Sequence, residues 1–278
     1  MTRRRPALVP ALPALVALAC AALAAPGAAA QEWAVERLEA SPRHHEWVEV
    51  PAGESRVVRS FVAFPEKAEG ALAVIVIHEN RGLTDWVRSF ADQLAAAGYL
   101  AIAPDLLSGF SAERPHTGAF ASSDAAREAI YALDADRVTA DLLAVQRWIA
   151  ERPGASGKTA VVGFCWGGAQ SFRFATHAKD LSAALVFYGT APTEEARIAA
   201  VAAPVHGFYG ENDARVNATL PETRRLMEAH GKTYEPVTYE GAGHAFMRQA
   251  DDPAGPPAAK VAKAAAWERL VGILDGIE

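Results

Sequence analysis

The sequence predicts an α/β fold: one domain with a mostly parallel, doubly wound sheet and helices on both faces. Three observations predict it. Continuous apolar runs of strand length, Ala71 to Ile77 foremost, suit strands buried on both sides. These runs alternate with longer segments whose apolar residues recur at helical spacing. The connections between them are mostly short, and no internal repeat interrupts the alternation, which is the signature of a single parallel-sheet domain.

The chain opens with Arg3-Arg4-Arg5, an Ala/Leu/Val-rich run to Ala25, and the small residues Ala28-Ala29-Ala30. A basic stretch, an apolar stretch and an Ala-x-Ala site read as a signal peptide over residues 1–30, so an exported protein, periplasmic or secreted, is expected. Pro10 and Pro13 break the apolar run, so no stable membrane insertion is expected after cleavage. Leu18-Ala19-Cys20 offers lipid attachment as an alternative, but the apolar run continues past Cys20 and favours cleavage after Ala30. Losing three arginines from a chain of net charge −6 leaves an acidic protein, which argues against a nucleic-acid partner. Cys165 is then the single cysteine, so no internal disulfide is expected.

Residues 31–55 read as an N-terminal extension, polar and mixed up to Pro51. His44 and His45 are adjacent and do not share a face, which disfavours a metal site there. The main domain is expected over residues 56–278. Arg56 to Phe64 alternates as an outer strand, and Ala71 to Ile77 follows as a buried one. Trp86, Val87, Phe90 and Leu94 define a helix stopped by Gly98, and Tyr99 to Ala103 is the next strand. Leu106 to Ser123 reads as a long loop of the kind that forms lids. Helices are expected over Asp124 to Leu133 and Asp136 to Arg152. The rest reads as strand Thr159 to Val162, helix Ala169 to Ala178, strand Ala183 to Tyr188 and strand Val205 to Tyr209. Helix Leu220 to His230, strand Tyr234 to Tyr239 and helix Val261 to Leu274 complete the chain.

The chemistry concentrates at strand ends. Gly163-Phe164-Cys165-Trp166-Gly167-Gly168 joins a strand to a helix in the pattern of a nucleophile elbow, with Cys in place of the usual Ser. A sharp turn of this type needs neighbours without bulk, hence Gly163 and Gly167. The helix N-terminus is expected to favour the thiolate of Cys165. Without a partner base, a Cys beside a tight turn would be structural. Asp213 and His244 supply that base: each follows a predicted strand, and the order Cys165, Asp213, His244 is that of the α/β-hydrolase fold. Glu211 is the rival acid. Acyl transfer also needs two backbone N–H donors for the oxyanion; Trp166 supplies one, and Asn80 or a neighbour the other.

Several motifs together resemble the dienelactone hydrolase (carboxymethylenebutenolidase) family. They are Ile77-His78-Glu79-Asn80-x-Gly82-Leu83, Ala97-Gly98-Tyr99-x5-Asp105-Leu106, the Cys165 elbow, Tyr209-Gly210-x2-Asp213 and Gly243-His244-x-Phe246. The resemblance runs from about Phe61 to Leu274. It implies hydrolysis of an enol-lactone through a thioester, without metal or other cofactor, by a triad of Cys165, His244 and Asp213. It gives Glu79 a part in generating the thiolate when substrate arrives. It sets Arg248, and by a looser match Arg127, to hold a substrate carboxylate. The expected partner is therefore a small ester or lactone, acted on by a monomer. The chain departs from the family pattern in its export signal, its N-terminal extension and the loop aromatics Phe110 and Phe120. These leave room for two alternatives: a broad carboxylesterase, and a non-catalytic ligand-binding or thiol-sensing protein on the same fold.

Overall fold

The computed structural model describes residues 31–67 and 69–277, together with Met1. The signal peptide expected over residues 1–30, with Cys20, lies outside the described residues. The chain runs α1 (Glu32–Glu39), β1 (His45–Pro51), β2 (Val57–Ala63), β3 (Ala71–Ile77), α2 (Asp85–Ala96) and β4 (Leu100–Pro104). It continues with α3 (Ser123–Tyr131), α4 (Ala135–Ala150), β5 (Ala155–Phe164), α5 (Trp166–Ala175), β6 (Leu181–Phe187) and α6 (Glu195–Ala199). It ends with β7 (Val205–Gly210), α7 (Ala214–Asn217), α8 (Leu220–Ala229), β8 (Tyr234–Tyr239), α9 (Phe246–Asp251) and α10 (Pro257–Asp275).

The strands form one 8-stranded sheet in the order β1-β2-β4-β3-β5-β6-β7-β8. β1, β2 and β4 pair antiparallel in succession, and every later pairing is parallel. The apolar run of β3 explains its central place, since all of its residues are buried. Leu72, Val74 and Val76 enter the core shared with α1, α2, α9 and α10. Ala73, Ile75 and Ile77 enter the core shared with α4, α5, α6 and α8. Alternate side chains of one strand therefore bind helices on both faces, as period-2 geometry requires.

Register levels the strand ends. Ile77 pairs with Gly163, Phe164 with Phe187, Phe187 with Phe208, and Gly210 with Tyr239. The loops that follow β3, β5, β6, β7 and β8 thus leave the sheet side by side, at the edge where ligands bind in open α/β sheets. Below them, the Phe164 ring lies 4.7 Å from Phe90, 4.9 Å from Trp86 and 5.0 Å from Phe187, centroid to centroid. This buried aromatic layer fixes the residue directly before Cys165.

Residues 31–55, in which the sequence shows no element, supply α1 and edge strand β1. Backbone pairing of β1 with β2 and the buried Ala34 and Val50 seat them, and charge adds to it. Arg43 and His45 bind Asp92 of α2, and Ser41 Oγ donates to the same carboxylate at 2.7 Å. Arg37 of α1 donates to Asp251 at 2.8 Å. Asp251 also accepts from Trp86 Nε1 at 2.9 Å and from Lys263, so α1, α2, α9 and α10 meet at one buried carboxylate.

The long loop after β4 is pinned at its base. Asp105 accepts hydrogen bonds from the Thr117 backbone N–H and hydroxyl, both at 2.7 Å. Phe110 and Phe120 pack against each other and under α3, and neither lines the cleft described next.

Candidate active site

Cys165 sits between β5 and α5 with φ of 55°, and α5 begins at Trp166, three residues earlier than the apolar spacing indicates. The glycines around it are required by close approach. A Cβ on Gly163 would lie 2.0 Å from the Gly167 carbonyl oxygen, and one on Gly167 would lie 2.3 Å from that of His78. Tyr188, after β6, and Ala245, before α9, also have positive φ, of 41° and 61°. These are the non-glycine residues with positive φ among the described residues, and all three line one cleft of about 550 Å³. Strain of this type costs about 1–3 kcal/mol per residue and persists where the surroundings hold it in place.

His244 reaches the same cleft from the loop after β8. Its Nδ1 bonds Asp213 Oδ2 at 2.5 Å, and the Asp213 side chain is only 6% exposed. That leaves Nε2 as the ring nitrogen without a hydrogen-bond partner among the described residues, on a side chain that lines the cleft. Asp213 Oδ1 also accepts from the Val216 N–H and caps α7. Glu211, the rival acid, accepts instead from the Gly241 N–H at 2.8 Å and braces the loop that presents His244. No hydrogen bond joins the Cys165 sulfur to the His244 ring in this conformation.

Glu79 and Arg248 meet in the cleft, Arg248 Nε donating to Glu79 Oε2 at 2.7 Å. Burial pushes the Cys165 thiol up, and the negative charge of Glu79 adds to this. The Trp166 backbone N–H and Arg215 act the other way without reversing it. The thiolate expected from the helix N-terminus is therefore not favoured in this resting arrangement: desolvation and a neighbouring carboxylate outweigh the partial charge of one N–H.

Trp166 and Asn80 both line the cleft. As the first residue of α5, Trp166 has a backbone N–H with no partner inside the helix. Asn80 is steadied by its side chain, which donates to the Tyr131 hydroxyl at 3.2 Å. Arg127 lies on α3, exposed at the cleft mouth, with its guanidinium 5.9 Å from the Tyr131 ring centroid.

Four residues here carried no role in the sequence. His78 is fully buried and bonds the Glu79 carbonyl through Nδ1 at 2.8 Å, so it shapes the loop that carries Glu79 and Asn80. Burial lowers its basicity, and its ring stacks on Trp166 at 5.6 Å. Tyr188 is 1% exposed, lies edge-on to the His244 ring at 5.0 Å, and has a hydroxyl without a hydrogen-bond partner. Arg81 and Arg215 line the cleft as well. A position just after a buried strand was the available signal for His78, Tyr188 and Arg81.

A parallel sheet with a strained Cys turn and a His–Asp pair at its C-terminal edge defines an α/β-hydrolase. The model of the dienelactone hydrolase family matches residues 58–277, and the chain belongs to that family. A Salmonella typhimurium protein assigned as a carboxymethylenebutenolidase is 35% identical over 199 residues, covering 67% of this chain and 72% of that protein. A Saccharolobus solfataricus protein with the same assignment is 30% identical over 246 residues, 78% of this chain and 93% of its own. Among solved structures, a Klebsiella pneumoniae protein assigned as a dienelactone hydrolase superposes with a TM-score of 0.73 at 28% identity, covering 84% of this chain and 99% of that one.

Proposed function

We propose that this protein hydrolyses small carboxylic esters or lactones through a thioester on Cys165, with Glu79 taking the thiol proton, His244 as the base that activates water and Asp213 orienting it. The observation that carries the reading is the His244–Asp213 bond, presented in the cleft that Cys165 lines from a strained turn.

The charges suggest an ordered cycle. In the resting site the thiol is held protonated by burial and by Glu79, and Arg248 occupies Glu79. A substrate carboxylate competing for Arg248 frees Glu79, which then takes the thiol proton; the nascent thiolate attacks the carbonyl carbon. The carbonyl oxygen takes up the negative charge between the N–H groups of Trp166 and Asn80. The intermediate collapses, the C–O bond breaks, and the proton that Glu79 took from the thiol goes to the leaving alkoxide. His244 then removes a proton from water, the hydroxide attacks the thioester, the C–S bond breaks, and the departing thiolate takes that proton back from His244. The arrangement asks nothing further of a metal or cofactor for these steps. We take the protein to work after export, on the strength of the leader pattern at residues 1–30. Among the described residues no helix is long and apolar enough to cross a membrane.

The test is a panel of lactones, carboxylated esters and neutral esters with wild type and Cys165→Ala, with intact mass measured after rapid quenching. Turnover by wild type alone and an acyl adduct on Cys165 support the proposal. Equal rates for the two proteins remove it. A wild type that turns over neutral esters as well as carboxylated ones favours a broad carboxylesterase.

A further inference from the structure

Resting on that reading of the cleft, we propose that its substrate carries two anionic groups, the second held by Arg215 from the side of the acid loop. The charges of the cleft do not balance without it. Glu79 is taken by Arg248, and Asp213 by His244. Arg81, Arg127 and Arg215 line the same space, and none pairs with a carboxylate among the described residues. Three unneutralised guanidinium groups thus converge on one cavity of a chain whose net charge is −6.

They arrive from separate parts of the fold: Arg81 from the loop after β3, Arg127 from α3, and Arg215 from α7. All three residues are exposed, so their positive charges face the solvent from which an anion would enter the cleft. A single carboxylate is satisfied by one or two guanidinium forks, and Arg248 with Arg127 already supplies those in the family resemblance. Arg215 is surplus to that task. It sits two residues after Asp213, near enough to the nucleophile that its charge bears on the Cys165 thiol. A ligand reaching both Arg215 and the Arg127 and Arg248 pair would carry an anion for each, with an ester or lactone carbonyl between them. The chemical class is a carboxylated lactone or ester with a second carboxylate.

Calorimetry of wild type with glutarate and with butyrate tests this directly, because neither ligand is hydrolysed. The two acids share a short chain and differ in the second carboxylate. Glutarate is expected to bind at least about 10-fold tighter than butyrate at low salt, the scale of one added charge-assisted hydrogen-bond pair. The difference should shrink as salt rises. Arg215→Gln should bring the glutarate-to-butyrate ratio to within about 3-fold, and Arg215→Lys should restore part of it by returning the charge. Equal affinity of wild type for the two acids overturns the proposal. So does a ratio that survives in a folded Arg215→Gln protein, checked by its circular dichroism. Because the measurement needs no turnover, a failed ester panel and a failed dianion preference are separate results.

Discussion

Arg248 Nε donates to Glu79 Oε2 at 2.7 Å, joining the two groups to which the family resemblance gives separate tasks. The guanidinium meant for substrate is held by the carboxylate meant for the thiol. While that bond lasts, Glu79 stands near Cys165 as a negative charge, and burial and that charge keep the sulfur protonated. The site is therefore closed to chance electrophiles until a competing anion arrives.

Glu79→Gln should lower the thiol pKa. The substitution deletes a negative charge that raises it and also frees the positive charge of Arg248, and both changes favour the thiolate. The rate of iodoacetamide labelling at Cys165, followed against pH, should show its midpoint moving down relative to wild type. An unmoved or higher midpoint contradicts the assignment of Glu79 as the group that keeps the thiol neutral. On the proposed cycle, ester turnover should fall in the same variant, because it lacks the carboxylate that would take the thiol proton.

Asp213→Asn should retain the fold and lose most of the activity. The amide cannot stabilise an imidazolium and permits the wrong tautomer at His244. A loss of roughly 10³–10⁴ in kcat is expected, with KM little changed. Steady-state kinetics with unaltered circular dichroism would check it. Glu211→Gln should cost far less, since Glu211 braces a loop and does not meet the ring.

Gly167→Ala and Gly272→Ala should move stability in opposite directions. A methyl on Gly167 meets the backbone oxygens of His78 and Ile77 at 2.3 and 2.5 Å. Neither oxygen belongs to a side chain that can turn aside, so the loss should reach about 3 kcal/mol, the upper end for overpacking. Gly272 lies exposed inside α10 with nothing within 4 Å, so alanine there should add about 0.5–1 kcal/mol through helix propensity. Urea midpoints of the two variants against wild type give both signs at once.

Acid should loosen the knot at Asp251. Burial raises its pKa, but Lys263, Arg37 and the Trp86 N–H outweigh that and hold it below the usual 3.8. A carboxyl with a depressed folded-state pKa contributes stability above its unfolded value and loses it as pH falls through the folded one. Wild type should lose this contribution below about pH 4. Asp251→Asn should be less stable at neutral pH, with a flatter dependence across the acid window. Thermal melts at a series of pH values would show whether the two profiles converge.

The parallel core was legible because burial on both faces leaves unbroken apolar runs, as in β3, and because β8 fills the stretch from Tyr234 to Tyr239 read from its pattern. The elbow was legible for a different reason: close backbone contact demands Gly163 and Gly167, and only glycine meets it. What stayed hidden lacks apolar periodicity. α7 spans one turn and is held by a capping carboxylate. β1 is an edge strand that exposes Trp47. β5 begins four residues before its buried portion, at Ala155, in a polar stretch. In the site, Asp213 and His244 could be paired by chain order. The Glu79–Arg248 bond joins residues 169 positions apart and leaves no local trace. Arg81 and Arg215 look like ordinary surface charge until the fold brings them to one cavity.

The carboxylate of Asp251 has a consequence beyond holding four helices. It closes the short helix that carries Arg248, and its partner Arg37 belongs to the first described helix. The first described helix is thus tied through one carboxylate to the helix whose Arg248 lines the cleft. A truncation that removed Arg37 with the first described helix would be felt as altered ligand affinity in the cleft, not only as a lower melting temperature.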